Sequence, residues 1–329
     1  MNPKVVHFTQ LEKLKETLEY FNIQDFKDKK TLIKLHMGEI KNKYFPKPEF
    51  VKQVIDVLKI YNVDPFLFDT TVAYPGLRHY KKGYYKLARI HGFTKKNIGC
   101  NVVIDDSGKN IEIEGRSFEV ADHIINSTYI FAISHVKGHV ATGMGGVIKN
   151  FGMGGVTKET KRTMHHKSRP VYQKDKCTYC GICAEVCPFN AITVKNDEWK
   201  QNMNKCFGCG VCVDACKNEA LVYKDTDLQY LLACACKACI QNKKVIYLNE
   251  LKRIAKSCDC DPFAGPIICP DIGYLLSDDP VAIDKASIDL IYKIKPDIFE
   301  KENHINPIKQ IKYAEEIRLG SSSYKLIEI

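Results

Sequence analysis

The feature that most constrains this chain is a cysteine run that occurs twice. CTYCGICAEVCPFNAITV begins at Cys177, and CFGCGVCVDACKNEALVY begins at Cys206. Each copy reads C-x2-C-x2-C-x3-C. Three thiolates on one tight loop hold three corners of an iron–sulfur cubane, and the fourth cysteine reaches the neighbouring cluster. The spacing assigns one [4Fe-4S] cluster to Cys177, Cys180, Cys183 and Cys216. It assigns a second to Cys206, Cys209, Cys212 and Cys187. Gly181 and Gly210 leave room for backbone N–H groups to approach sulfide. Zinc sites usually pair C-x2–4-C units instead of placing four cysteines in one run.

The chain has 329 residues and 15 cysteines. An odd count in a large chain without a secretory leader argues against a disulfide framework. The net charge is 49 − 39 = +10. Two oxidised clusters of about −2 each reduce this to about +6, so basic composition is a weak argument for nucleic acid. The lysines are spread along the chain rather than gathered in a block. No apolar stretch approaches the roughly 18–20 residues of a membrane span. The expectation is a cytoplasmic, oxygen-sensitive protein of anaerobic habit, with neither a membrane nor a nucleic-acid partner.

Outside the cysteine repeat, strands alternate with helices. Apolar strands are expected at residues 31–36, 65–69, 101–105, 129–134 and 244–248, with a short one at 267–268. Helices are expected at 11–21, 50–61, 84–92, 228–240, 279–292 and 305–318. That alternation implies an α/β fold with a parallel, Rossmann-like sheet. The layout is a host domain in two parts, 1–170 and 226–329, interrupted at 171–225 by a small α+β module carrying the two clusters. Ligands of such sheets bind beyond the carboxyl ends of the strands. Asp69 and His135 sit at two such ends.

Six further cysteines follow the module: Cys234, Cys236, Cys239, Cys258, Cys260 and Cys269. One reading is a third iron–sulfur cluster or a zinc site drawn from this set. The other is inert or redox-spare thiols, since free cysteine is often a small core hydrophobe. Cys100, alone before a strand, is expected to be a buried free thiol. Residues 134–166 contain two GMGG units, at 143–146 and 152–155, among His135, His139, His165, Lys149 and other lysines. Gly143, Gly145, Gly146, Gly152, Gly154 and Gly155 permit close backbone approach and anion-binding turns. They are candidate binders of a phosphate, carboxylate or sulfonate group; tight turns between packed elements are the structural alternative. Histidine suits metal binding and proton transfer near neutral pH.

The repeat resembles bacterial-type two-cluster ferredoxins over about 50 residues, except that Lys217 stands where such repeats usually carry proline. HVKGHVATGMGGVIKNFGMG (135–154), Thr163-Met-His165, Cys258-Asp-Cys260, PDIG (270–273) and DPVAIDKASIDL (279–290) resemble domain-of-unknown-function family 362. Its members often carry such a module at this point. His139-x9-Lys149-x15-His165 is also similar to the spacing in nickel-pincer lactate racemases. That resemblance implies a cofactor anchor at Lys149, a nickel ligand at His165 and a general base at His139. The ferredoxin-like module and the many cysteines depart from that family.

The leading expectation is an iron–sulfur oxidoreductase. Its clusters would relay electrons, exchanged with a redox partner protein such as a ferredoxin or a reductase. They would serve a pocket formed by Asp69, His135, His139, Lys149 and His165, with Cys258 and Cys260 as further candidates, acting on a small anionic substrate or cofactor. The alternatives are an electron-transfer or metallocluster-assembly protein without metabolite turnover, and a racemase-like enzyme.

Overall fold

The computed structural model describes residues 2–329. An eight-stranded sheet forms its centre. Its strands are β1 (Lys4–Phe8), β2 (Lys30–Lys34), β3 (Asp64–Asp69), β4 (Asn101–Ile104), β5 (Tyr129–His135), β6 (Lys244–Leu251), β7 (Gly273–Ser277) and β8 (Lys325–Glu328). Their order across the sheet is β8–β1–β7–β6–β5–β2–β3–β4. The stretch from β6 to β4 is parallel throughout. β7 runs antiparallel to both its neighbours, β6 and β1, and β8 closes the edge parallel to β1. The sheet is therefore parallel at its centre and mixed towards one edge.

Alternate residues of the central strands feed two different cores, because successive side chains of a strand point to opposite faces. Leu32, Phe66, Phe68, Ile130 and Ala132 enter one core. Ile33, Leu67, Phe131 and Ile133 enter the other. Two principal helices cover the second face: α1 (Pro48–Ile60) and α2 (Lys81–Ile90). The first face is covered by α3 (Val147–Gly152), α5 (Leu228–Ile240), α6 (Pro280–Ile294) and α7 (Ile308–Glu316), with α4 (Lys158–Lys167) beside them. Near-continuous apolar strands need such cover on both sides.

The expected strands and helices of the host are present, with two differences. The first expected helix is a 3-10 turn, Leu11–Lys13, running into a short helix, Leu14–Leu18. The strand at Ile267–Cys269 pairs with Ile254–Ala255 outside the main sheet. Outside the sequence expectation lay β1, β7, β8, the short helices Val147–Gly152, Lys158–Lys167 and Ile298–Asn303, the pair Lys137–His139 with Gly143–Gly145, and a hairpin pairing Gly108–Ile113 with Arg116–Ala121. The hairpin turns at Glu114 and Gly115, both at positive φ, as a two-residue primed turn requires.

The small module has its own core, with Ile192, Cys212 and Leu221 buried. Pro170–Tyr172 pairs antiparallel with Leu221–Tyr223, so the chain enters and leaves the module side by side. A second hairpin, Ile192–Lys195 with Glu198–Gln201, forms its far wall.

Asp284 on α6 fixes the glycine segment against the sheet. Its carboxylate accepts hydrogen bonds from the N–H groups of Val147 (2.8 Å) and Ile148 (2.9 Å) at the start of α3, and from Asn249 on β6 (3.0 Å). Burial pushes its carboxyl up to about 6, although those N–H donors favour the charged form. A Cβ at Gly146 would lie 2.3 Å from this carboxylate, so the close approach needs glycine. Asp284→Ala should cost roughly 1–3 kcal/mol by orphaning these buried donors. The check is the urea midpoint under anaerobic conditions, with the exposed Asp56→Ala as the control that leaves it unchanged.

Candidate functional site

In this sheet the chain runs β2, β3, β4 in one direction and then returns to place β5 on the other side of β2. The carboxyl ends of β2 and β5 therefore diverge, which is where open α/β sheets bind ligands. A cavity of about 650 Å³ lies there. Lys34 and His36 follow from β2, Asp69 from β3, and Ser134 and His135 from β5; all five line it. The glycine segment, α4 and the loop holding Cys258 and Cys260 complete its walls.

Two buried carboxylates organise the cations around it. Asp69 accepts from Lys34 Nζ (2.9 Å), Arg78 (3.4 Å) and the Tyr84 hydroxyl. Burial works against its charge, but Lys34 and Arg78 hold its carboxyl below the usual range. Asp259 pairs with His135 Nδ1 (2.9 Å) and Lys137 Nζ (2.9 Å). It too is held well below the usual range, against burial, by those two neighbours. His135 Nε2 faces the Lys252 carbonyl at 2.8 Å, so both ring nitrogens are engaged. Asp69 and His135 therefore line the cavity as anchors of other groups.

On the far side, His139, Cys258 and Cys260 converge, with one ligand atom from each within 4.8 Å of the others. Lys149 Nζ lies 3.2 Å from Cys258 Sγ. A hydrogen bond from Cys260 holds the Cys258 thiol well below its ordinary pKa, with help from Lys149 and Lys137; the same bond pushes Cys260 up. Burial opposes the charge of Lys149, but the two cysteines keep it raised. Burial pushes His139 well down, with Lys149 adding to the effect. Burial likewise pushes His165 down to about 4. Its Nδ1 is buried without a partner, and its ring lies 4.2 Å from that of Phe207.

The eight repeat cysteines gather into two hollows. Cys177, Cys180, Cys183 and Cys216 line one, beside the stacked rings of Tyr172 and Trp199. Cys206, Cys209, Cys212 and Cys187 line the other, with Phe189, Ile192 and Phe207. Backbone N–H groups already point at sulfur: Tyr179 to Cys177 (3.4 Å), Ala191 to Cys187 (3.3 Å) and Ala220 to Cys216 (3.2 Å). Gly181 and Gly210 each take φ of +80° to start the short turn after the second cysteine of each run. Four sulfurs around an apolar hollow, with amides directed at them, fit an iron–sulfur cluster.

The second cysteine set does not come together. Cys234, Cys236 and Cys239 lie along α5 in the core, and Cys269 is buried on its strand. Burial pushes Cys234 up to about 11 and Cys239 up to about 12, which keeps them as thiols. Their neighbours differ: Tyr230 beside Cys234, the Phe151 carbonyl at Cys239, Lys295 near Cys269. Only Cys258 and Cys260 of the six line the cavity. Cys100 is buried. The glycines divide similarly. Gly145, Gly146 and Gly154 line the cavity. A Cβ at Gly152 would meet the Leu232 backbone at 2.3 Å, and one at Gly155 the Cys239 sulfur at 2.6 Å, so these two serve helix packing. Gly143, at φ +70°, packs against Ile305 and Pro307.

Lys161 is one of the lysines expected to supply positive charge beside the glycine units, and it lines the cavity; Lys34, His36 and Arg78 were not singled out from sequence. Their signal was weak, because each is an isolated basic residue at a strand end or in a loop or helix. Lys161 Nζ donates to the Thr70 hydroxyl (2.6 Å) and the Thr71 carbonyl.

Fold and site together define an α/β protein with a parallel central sheet and an inserted eight-cysteine iron–sulfur module. The chain belongs to the family described as Domain of unknown function (DUF362), whose model matches residues 31–289. Over 108 residues it is 34% identical to NADH-quinone oxidoreductase subunit I of Flavobacterium psychrophilum, a match covering 29% of this chain and 55% of that protein. Two solved structures are similar. One is the lactate racemase apoprotein from Thermoanaerobacterium thermosaccharolyticum (TM-score 0.42, 12% identity, 75% of this chain and 50% of that one). The other is a protein from Thermotoga maritima (TM-score 0.44, 11% identity, 93% and 59%). The chain thus spans between 50% and 59% of the length of these relatives. Among the described residues, no helix is long and apolar enough to cross a membrane.

Burial pushes Lys161 down to about 7, against the pull of Asp69 and Asp106. The unfolded chain then binds more protons than the folded one between about pH 7 and 10, so this group adds stability as pH rises through that window. Lys161→Met should be more stable than the parent at pH 7, by roughly 1–4 kcal/mol. The advantage should shrink towards pH 10. Urea unfolding at the two pH values checks this; a variant less stable at pH 7 would contradict it.

Proposed function

We propose that this chain is an iron–sulfur oxidoreductase in which two [4Fe-4S] clusters relay electrons to or from a small anionic substrate in the cavity. One observation carries the reading: Cys206 and Phe207 line both the second four-cysteine hollow and the large cavity. Bound clusters would supply one-electron transfers there. The module is held in this position by the host. Ser168 Oγ donates to the Gly208 carbonyl (2.6 Å), and Arg169 donates to the Cys206 carbonyl (3.2 Å). Cys180 of the other hollow is exposed, which provides a face for a redox partner protein.

The preference for an anion rests on charge. Lys34, Arg78, Lys137 and Lys149 line the cavity along with Arg162, Arg169 and the partly charged Lys161, against Asp69 and Glu159. Asp69 is already shared between two of those cations, so the net field is positive. In such a cavity this charge attracts and orients an anion more strongly than in bulk water. His165, pushed down to about 4 by burial, is neutral at pH 7, and its partnerless Nδ1 is available to hydrogen-bond a bound group. A protein that only hands on electrons needs no such cavity, which favours turnover of a metabolite over simple relay.

The test is anaerobic purification followed by iron and acid-labile sulfide analysis, and by electron paramagnetic resonance of the reduced protein. About eight irons per chain and two interacting spins are expected. Cys206→Ala should remove or convert the inner cluster and abolish oxidation of the reduced protein by its substrate, while the outer cluster is still reduced. Zinc in place of iron, with no sulfide, would refute the reading.

A further inference from the structure

We infer that His139, Cys258 and Cys260 form a separate metal centre, a three-ligand site for one thiophilic divalent ion, Zn2+ or Fe2+, with an open position facing the cavity. The three ligand atoms already lie within 4.8 Å of one another. Ligand atoms of a tetrahedral centre are about 3.5 Å apart, so binding requires only a small contraction. Two sulfurs and an imidazole select a borderline-soft metal over Mg2+ or Ca2+. Three protein ligands plus one free place is the pattern of metal sites that act on a bound molecule.

The surroundings fit a built site. In Cys258-Asp259-Cys260 the middle residue turns to His135 and Lys137, while its two neighbours face the cavity. The loop is pinned from a distant segment: Asn42 donates to the Asp261 carbonyl (2.7 Å), and Glu39 N–H donates to the Asp259 carbonyl (2.9 Å). His139 Nδ1 lies 3.0 Å from the Thr142 hydroxyl, whose proton reaches the Met144 carbonyl at 2.8 Å. In that arrangement Thr142 accepts from Nδ1–H and leaves the Nε2 lone pair for a metal. The Ala141 N–H, 3.2 Å from Nδ1, favours the other tautomer, so metal binding selects between the two. An M2+ ion and two thiolates sum to zero charge, and Lys149 beside Cys258 adds a hydrogen bond to the thiolate. The site lies in the same cavity that Cys206 lines. The proposed role, holding a substrate where electrons arrive, rests on the oxidoreductase reading; metal binding itself does not.

The probe is Zn2+. Full-length, anaerobically purified protein is cleared of labile ions with EDTA, and zinc is added back. Zinc per chain is then counted, and its neighbours are identified by zinc-edge X-ray absorption, to which cluster iron is silent. Expected is one zinc with two sulfurs and lighter N/O neighbours, lost in Cys258→Ser/Cys260→Ser. His139→Gln should weaken binding without changing iron content, which controls for folding. Thr142→Val should weaken it about 10–100-fold through the tautomer. Zinc with four sulfur neighbours, a zinc count indifferent to these variants, or a Cys258–Cys260 disulfide in the anaerobic protein would overturn the inference. Because iron and zinc are counted separately, a module without clusters would fail the relay and leave this result standing.

Discussion

The site depends on one buried ionic contact, the Asp259 carboxylate between His135 and Lys137. It joins the end of a central strand to a loop more than a hundred residues further along the chain. An unpaired carboxylate at that depth would cost several kcal/mol, so the contact is selective as well as attractive. The observed placement of the 258–260 loop satisfies it. That placement brings Cys258 and Cys260 to face His139 and Lys149.

The second carboxylate, Asp69, works in the same way on the other side of the cavity. It anchors Lys34 and Arg78, each of which would otherwise be a lone buried cation. The central sheet supplies the rigid frame: the carboxyl ends of β2, β3 and β5 bring the two carboxylates' partners within reach of one opening. Glycine completes the frame on the third side, where Gly146 lets α3 approach Asp284. The cavity is thus walled by two anchored charge clusters, by cations in excess of the carboxylates, and by a few polar groups, such as His165 Nδ1, without a partner.

Much of this was legible in the sequence. The cysteine runs predict the two four-sulfur groups because ligand spacing within a tight loop is local geometry. The parallel sheet is legible because β2, β3, β5 and β6 are apolar runs separated by helical patterns. β1, β7 and β8 were not: β1 (KVVHF) and β8 (KLIE) mix polar with apolar residues, and β7 (GYLLS) is not set off from its neighbours by a helical pattern on both sides. The second cysteine set shows the limit most clearly. Cys236 and Cys239 share a helix spacing that would suit a metal, yet the helix turns both into the core. Cys258 and Cys260 instead find their third partner in His139, 119 positions from Cys258 in sequence. Nothing local announces that pairing, because it is set by which strands lie side by side.

The paired strands Pro170–Tyr172 and Leu221–Tyr223 close the gap through which the cysteine module leaves the host. Departure and return are adjacent, and the host strands on either side, β5 and β6, pair residue for residue across the interruption. The module therefore behaves as a cartridge: its removal would leave a gap that a short turn could bridge, with the register of the central sheet intact. An architecture of this kind can gain or lose its eight-cysteine module in one genetic event while the strands that carry Asp69, His135 and the loop after β5 keep their places.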